Sequence, residues 1–199
     1  MVKEWRLTTP LSVEDVRALK LGDVVFLSGR LYGVRDATLI RIFDHKVEPP
    51  VDLRGYPCIH TAPGVKKVGD RYEKVCIGTT TSARMERFTR GLIEKYGVRA
   101  ILGKGGLFEE STRAMKEFGA VYLAMVGGAA ALSTLQIEEI EKVYWEDLFP
   151  EALWQFRVKD FGPLFVGIDA HGNNLFFNLK REVLARVPAI YKKLGITPP

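Results

Sequence analysis

Residues 75–106 read VCIGTTTSARMERFTRGLIEKYGVRAILGKGG. The stretch opens on a short apolar run, Val75-Cys-Ile-Gly78, and then carries hydroxyls at Thr79, Thr80, Thr81 and Ser82. Met85, Phe88, Leu92 and Ile93 follow at the three- and four-residue spacing of one helix face, with Thr80-Thr81-Ser82 as its cap. Gly97 closes that helix, and Ala100-Ile-Leu102 is a second buried run that ends in Gly103-Lys-Gly-Gly106. Strand, loop, helix, strand, loop is the repeat of a parallel sheet with right-handed crossovers. A helix holding Met115 and Phe118, a third apolar run at 120–125 and a fourth at 164–168 extend it. The sequence therefore predicts an α/β fold with a mostly parallel sheet flanked by helices.

Outward from this unit the signals weaken. Ser12 caps a predicted helix over about residues 13–20, which Gly22 ends. Val24–Ser28 is β-rich, Gly29 and Gly33 bracket a tight excursion before Arg35, and residues 36–43 suit a second short helix. Pro49, Pro50, Gly55 and Pro57 mark an irregular stretch that takes in His60, and residues 169–174 form a turn. Gly127-Gly-Ala-Ala-Ala131 reads as close backbone packing with no chemistry of its own.

Composition excludes several functions. The 29 Lys and Arg are scattered among 24 Asp and Glu, with no basic run interleaved with aromatics, so nucleic acid is not the expected partner. No apolar run approaches the roughly 20 residues that cross a bilayer, and Met1–Pro10 lacks a signal-peptide core, so a cytoplasmic location is expected. Cys58 and Cys76 are the only cysteines, read as small buried thiols. An iron–sulfur cluster takes three or four thiolates, so this chain alone holds none. The three histidines show no metal-ligand spacing.

Two loops stand out, because ligands of open α/β sheets bind beyond the carboxyl ends of the strands. Gly78–Arg84 combines hydroxyls, a helix N-terminus and a guanidinium, all suited to an anion. Gly103-Lys104-Gly-Gly106 lets backbone approach a ligand closely, and it lacks the spacing of a P-loop. Arg35-Asp36 closes another strand-like run.

In order and spacing, Gly78-Thr-Thr-Thr-Ser-Ala-Arg84-Met85, Gly103-Lys-Gly-Gly106, Gly127-Gly-Ala-Ala-Ala-Leu132 and Gly33-Val-Arg35-Asp36-Ala37 resemble the beta subunits of class I fumarate hydratases and L-tartrate dehydratases. The resemblance covers most of the chain. It implies one swivelling β/β/α domain over residues 1–199, closing on an alpha subunit that bears a [4Fe–4S] cluster, in a heterotetramer. By the same resemblance Arg35, Arg84 and Lys104 bind substrate carboxylates, while Thr80, with Thr81 beside it, touches the reacting carbon. The implied activity is reversible hydration of fumarate, with the partner's open iron binding the substrate hydroxyl. L-tartrate or another hydroxy-dicarboxylate is the alternative substrate, and a non-catalytic anion-binding or assembly module the alternative of another class. The family has Pro where Thr79 stands and His where Leu39 stands, which leaves the choice of dicarboxylate open.

Overall fold

The computed structural model describes residues 2–197, the side chains of 129–131 excepted. Its centre is a seven-stranded sheet. Strands β1 (Glu4–Thr8), β2 (Val24–Val34), β3 (Pro57–His60), β6 (Ala100–Gly103) and β7 (Val121–Ala124) run parallel in that order. The sixteen-residue β9 (Leu153–Ile168) then lies antiparallel to β7 on one side and to β2 on the other, closing the sheet into a barrel. Strand β8 (Ile137–Tyr144) adds an antiparallel edge to β9. Strands β4 (Gly64–Val68) and β5 (Arg71–Cys76) form a separate hairpin.

The expected parallel unit is therefore present but is not the whole sheet. Leu164–Ile168 belongs to antiparallel β9, whose length lets one strand span both rims of the opening. Val75-Cys76 ends the exposed hairpin, so Cys76 is not buried; only Cys58 is. The parallel partner of β6 is instead Pro57–His60, in the stretch that its prolines mark as irregular. Proline at the first residue of a strand removes no interior ladder bond, which is why the signal misleads. Residues 24–34 form one strand with register shifts at Val25/Leu27 and Leu27/Gly29, not a strand and an excursion.

Short strands buried on both faces read as continuous apolar runs. In β6, Ala100 and Leu102 face the barrel interior while Ile101 faces the helices; β7 repeats this with Val121 and Leu123 against Tyr122. Trp154 and Phe156 of β9 stack at 6.4 Å within the interior cluster, both fully buried. Full burial of each such side chain contributes about 1.5–3 kcal/mol. The outer cluster is covered by α2 (Asp36–Phe43), α3 (Glu86–Glu94) and α4 (Glu109–Phe118). Helix α1 (Val13–Ala18) starts on a capping box: Asp15 N–H donates to Ser12 Oγ at 3.0 Å, and Ser12 N–H to Asp15 Oδ2 at 2.8 Å. The last helix, α6 (Leu175–Leu194), buries none of its residues. No described helix is long and apolar enough to cross a membrane.

Candidate active site

The carboxyl ends of β2, β3, β6 and β7 meet on one rim of the barrel, and each delivers a candidate residue or its support. From β2 the chain passes through Arg35, the N-cap of α2, in extended conformation. Glu151 fixes this corner: its Oε2 accepts from Ala37 N–H at 2.7 Å, and its Oε1 lies 3.2 Å from Arg35 Nε. A carboxylate here faces the positive end of the α2 dipole. Thr38 Oγ1 donates to the Glu151 carbonyl.

Beyond β6 the two candidate loops are zipped together. Thr81 bridges Lys104 in parallel fashion, and Ser82 N–H donates to the Lys104 carbonyl at 2.9 Å. The Thr80 N–H donates to the His60 carbonyl at 2.8 Å, tying the same segment to the end of β3. Gly105 and Gly106 hold φ near +80°, a left-handed turn that bulkier residues resist. Gly106 also leaves no room for a Cβ, because the Phe176 ring lies 2.6 Å from where one would stand. Glu86 anchors the far side, accepting from Phe108 N–H, Ser111 N–H and Ser111 Oγ at 2.7–3.0 Å.

The hydroxyls do not cap the helix. A 3₁₀ turn (Ser82–Met85) precedes α3, and neither Thr81 nor Met85 makes a side-chain cap. Thr79 Oγ1 donates to the His60 and Thr80 carbonyls, both at 3.1 Å. Ser82 is fully buried; Tyr122 Oη donates to its Oγ at 3.0 Å, and His60 Nδ1 lies 2.9 Å from the same oxygen. Thr80 Oγ1 keeps only a long contact, 3.5 Å from Arg84 Nη2.

Arg84 is half-exposed and is held by Asp36, to whose two oxygens its Nε and Nη2 donate at 3.4 and 3.0 Å. The pair holds the Asp36 carboxyl below its ordinary pKa and raises that of Arg84. Lys104 runs over Gly127, where an added Cβ would stand 2.8 Å from its Cδ and 2.9 Å from its Nζ. Arg35, Thr80, Thr81, Arg84 and Lys104, named from sequence, thus share one rim. Asp36, His60, Glu151 and Gly127 were not among them. Asp36 stood in the Arg35-Asp36 motif without a role of its own, and the Gly-Gly pair read as backbone packing; that expectation for residues 129–131 lies outside the described side chains.

The two cysteines sit in different surroundings. Cys58 is buried in the outer core with its thiol pushed up to about 12 by desolvation, and Cys76 sits on the hairpin. Among the described residues no group of three His, Cys, Asp or Glu is placed to hold a metal. A groove of about 950 Å³ lies between β5 and β8, and none of the candidate residues lines it. It is lined by charges of both signs, including Arg71, Glu73, Lys74 and Glu139, and has no anion preference of its own.

The family profile described as Fumarase C-terminus matches residues 1–179. The L(+)-tartrate dehydratase subunit beta of Escherichia coli K12 is 42% identical over 189 residues, 94% of each chain. A Methanocaldococcus jannaschii protein provisionally named as the same subunit is 37% identical over 182 residues, 89% of this chain and 93% of that one. A Geobacillus stearothermophilus protein, provisionally named a fumarate hydratase class I, is 39% identical over 183 residues; the match takes 91% of this chain but 35% of that longer one. With the profile matched over most of its length and relatives of this identity, this chain belongs to the fumarase C-terminal family.

Proposed function

We propose that the chain is the beta subunit of a hydro-lyase acting on a hydroxy-dicarboxylate, with L-tartrate favoured over fumarate. The observation that carries the hydro-lyase reading is the convergence of Arg84, Lys104, Arg35 and the Thr80 hydroxyl on one open rim. Between the two substrates, the 42% identity to a tartrate dehydratase beta subunit over 94% of both chains favours the dehydratase. The fumarate reading rests on a longer relative of which this chain matches about a third.

Each residue has a role under this reading. Arg84 and Arg35 offer planar forks to carboxylates, and Lys104 a point charge. Proton removal beside a carboxylate puts further negative charge on it, and the same cations stabilise that charge as it develops. Under this reading the Thr80 hydroxyl exchanges a proton with the reacting carbon. A threonine hydroxyl is a poor base unaided, and the guanidinium 3.5 Å away lowers the cost of its anion. A [4Fe–4S] cluster belongs on the alpha subunit, as neither thiol of this chain fits it, and would supply Lewis-acid chemistry there. The partner would also cover the open rim and exclude water.

The test is anaerobic co-expression with the cluster-bearing subunit, followed by assays against L-tartrate and fumarate on one preparation. Turnover of L-tartrate at higher kcat/KM is the expected result. Preference for fumarate would reverse the substrate assignment, and inactivity on both would favour an anion-binding module.

A further inference from the structure

Among the described residues, two buried side-chain nitrogens have no hydrogen-bond partner: Arg35 Nε and His60 Nε2. Buried donors left unpaired cost enough that each one asks for a reason. Arg35 adjoins Asp36 at the start of α2, and His60 ends the strand paired with the one that leads into it. Arg35 Nε is 3.4 Å from Asp36 Oδ2, as an unaligned ion pair. His60 is paired with Val34 at the end of β2, two residues before Asp36, and its ring feels the charges of Asp36 and Arg84.

The proton on His60 can be placed from its neighbours. Tyr122 O–H donates to Ser82 Oγ at 3.0 Å. Ser82 O–H then has His60 Nδ1, 2.9 Å away, as its acceptor. A neutral imidazole that accepts at Nδ1 carries its proton on Nε2. The relay runs from Tyr122 on β7 through Ser82 of the threonine loop and ends in one unspent donor, inside a fully buried ring.

Arg84 has the complementary difficulty. A guanidinium grips a carboxylate through two adjacent N–H groups, and its Nε/Nη2 edge is already on Asp36. An anion bound through that edge must displace Asp36, whose carboxylate then needs a donor. We propose that Asp36 is a place-holding carboxylate, which occupies the gripping edge of Arg84 in the free chain and passes to the Nε2–H of His60 when a bound anion takes that edge. His60 is thereby a positioning residue, acting on the ligand only through Asp36 and Arg84. The inference rests on the dicarboxylate reading given above.

Two measurements test it. Nitrogen-15 histidine spectra of the full chain need no ligand, and His60 is expected neutral with its proton on Nε2 at pH 7. A proton on Nδ1, or on both nitrogens, would overturn the proposal. Equilibrium binding of L-tartrate to the complex with the cluster-bearing subunit then reads the coupling. His60→Asn keeps an acceptor for Ser82 but removes the Nε2 donor, and weakens binding about 10-fold, the loss of one charge-assisted hydrogen bond. His60→Gln, whose amide reaches the Nε2 position, restores binding to within about 3-fold. With Asp36→Asn already in place, His60→Asn costs less than about 2-fold, because the carboxylate it serves is gone. Equal penalties in both backgrounds would make His60 a packing residue and sink the idea. With the Nε2 proton seen but no tartrate or fumarate bound by the wild-type complex, the dicarboxylate reading is the one that fails.

Discussion

At the scale of single residues, the hydroxyl of Thr80 separates chemistry from scaffolding. It caps no helix and reaches only Arg84, at 3.5 Å. Thr80→Ala is thus expected to leave the unfolding free energy measured in urea within about 0.5 kcal/mol, the usual range for surface changes. Turnover of the reconstituted complex is expected to fall about 100-fold or more, as for loss of a proton-transfer group. A clear stability loss with normal turnover would return the residue to scaffolding. His60 makes a second prediction, through pH. Burial, with Arg84 adding to it and Asp36 opposing, lowers its pKa from 6.5 to about 4. The unfolded chain therefore binds the extra proton first, and stability falls as pH drops from about 6.5 to 4, by about 3 kcal/mol at most. The ion-paired Asp36 and Asp44, whose folded pKa values are lowered, lose their contribution only below about 3.8. Urea midpoints at pH 7 and pH 4.5 are expected to differ less in His60→Asn than in the parent chain, and equal slopes would contradict the buried neutral ring. Motif residues such as Arg84 and Lys104 were legible because charge and glycine spacing are local. The role of Asp36, and His60 and Glu151 altogether, were not, because their partners lie 48, 22 and 114 residues away in the chain.

Among the elements, those with local signals were read well and those defined by distant pairing were not. Helices α1 and α2 lie where Ser12 and the apolar pattern of residues 36–43 put them, and α3 and α4 carry the expected faces. Strand β3 was missed because four fully buried residues have no alternation to show, and prolines surround them. The Gly127-Gly128 turn after β7 was seen but given the wrong task. Gly127 is the floor on which Lys104 rests, and an alanine there would meet the flexible end of that side chain, not backbone. Gly127→Ala is therefore expected to change stability by less than about 0.5 kcal/mol. It would push the ammonium aside, and a displacement of about 1 Å in a binding group costs about 100-fold in rate. Thermal melts and kcat/KM on the same protein check this. An active variant would mean that Lys104 does not work from the position seen here.

For the molecule as a whole, closure is the feature that no local pattern foretold. Leu164–Ile168 looks like one more parallel strand, because a buried run does not record its direction. Direction is set by β8 and β9 being one hairpin-like pair, whose long second strand finds both β2 and β7. Once closed, the barrel holds the interior cluster by itself and the outer cluster lies under three helices, so α6 touches the outer one through Phe176 and otherwise lies outside both. Its first turn is attached: Asn174 caps it, and Phe176 packs against Tyr122 at 6.0 Å and over Gly106. Beyond that turn Leu179, Val183, Leu184, Ile190 and Leu194 are each about half exposed or more. A helix of 20 residues is about 30 Å long, so most of it projects without burying a side chain. Side chains that stay in water on both sides of the transition contribute little to the folding free energy. A chain ending at Leu179, where the family match also ends, is expected to unfold in urea with a free energy within about 1 kcal/mol of the whole chain. Phe176→Ala in the whole chain, which opens space beside Tyr122 and under the lysine loop, is expected to cost about 2 kcal/mol, less than a fully buried phenylalanine. The two unfolding curves measured side by side decide where the folded unit stops. A truncation that costs more than the Phe176 substitution would put the projecting helix in the core and would refute the packing described here.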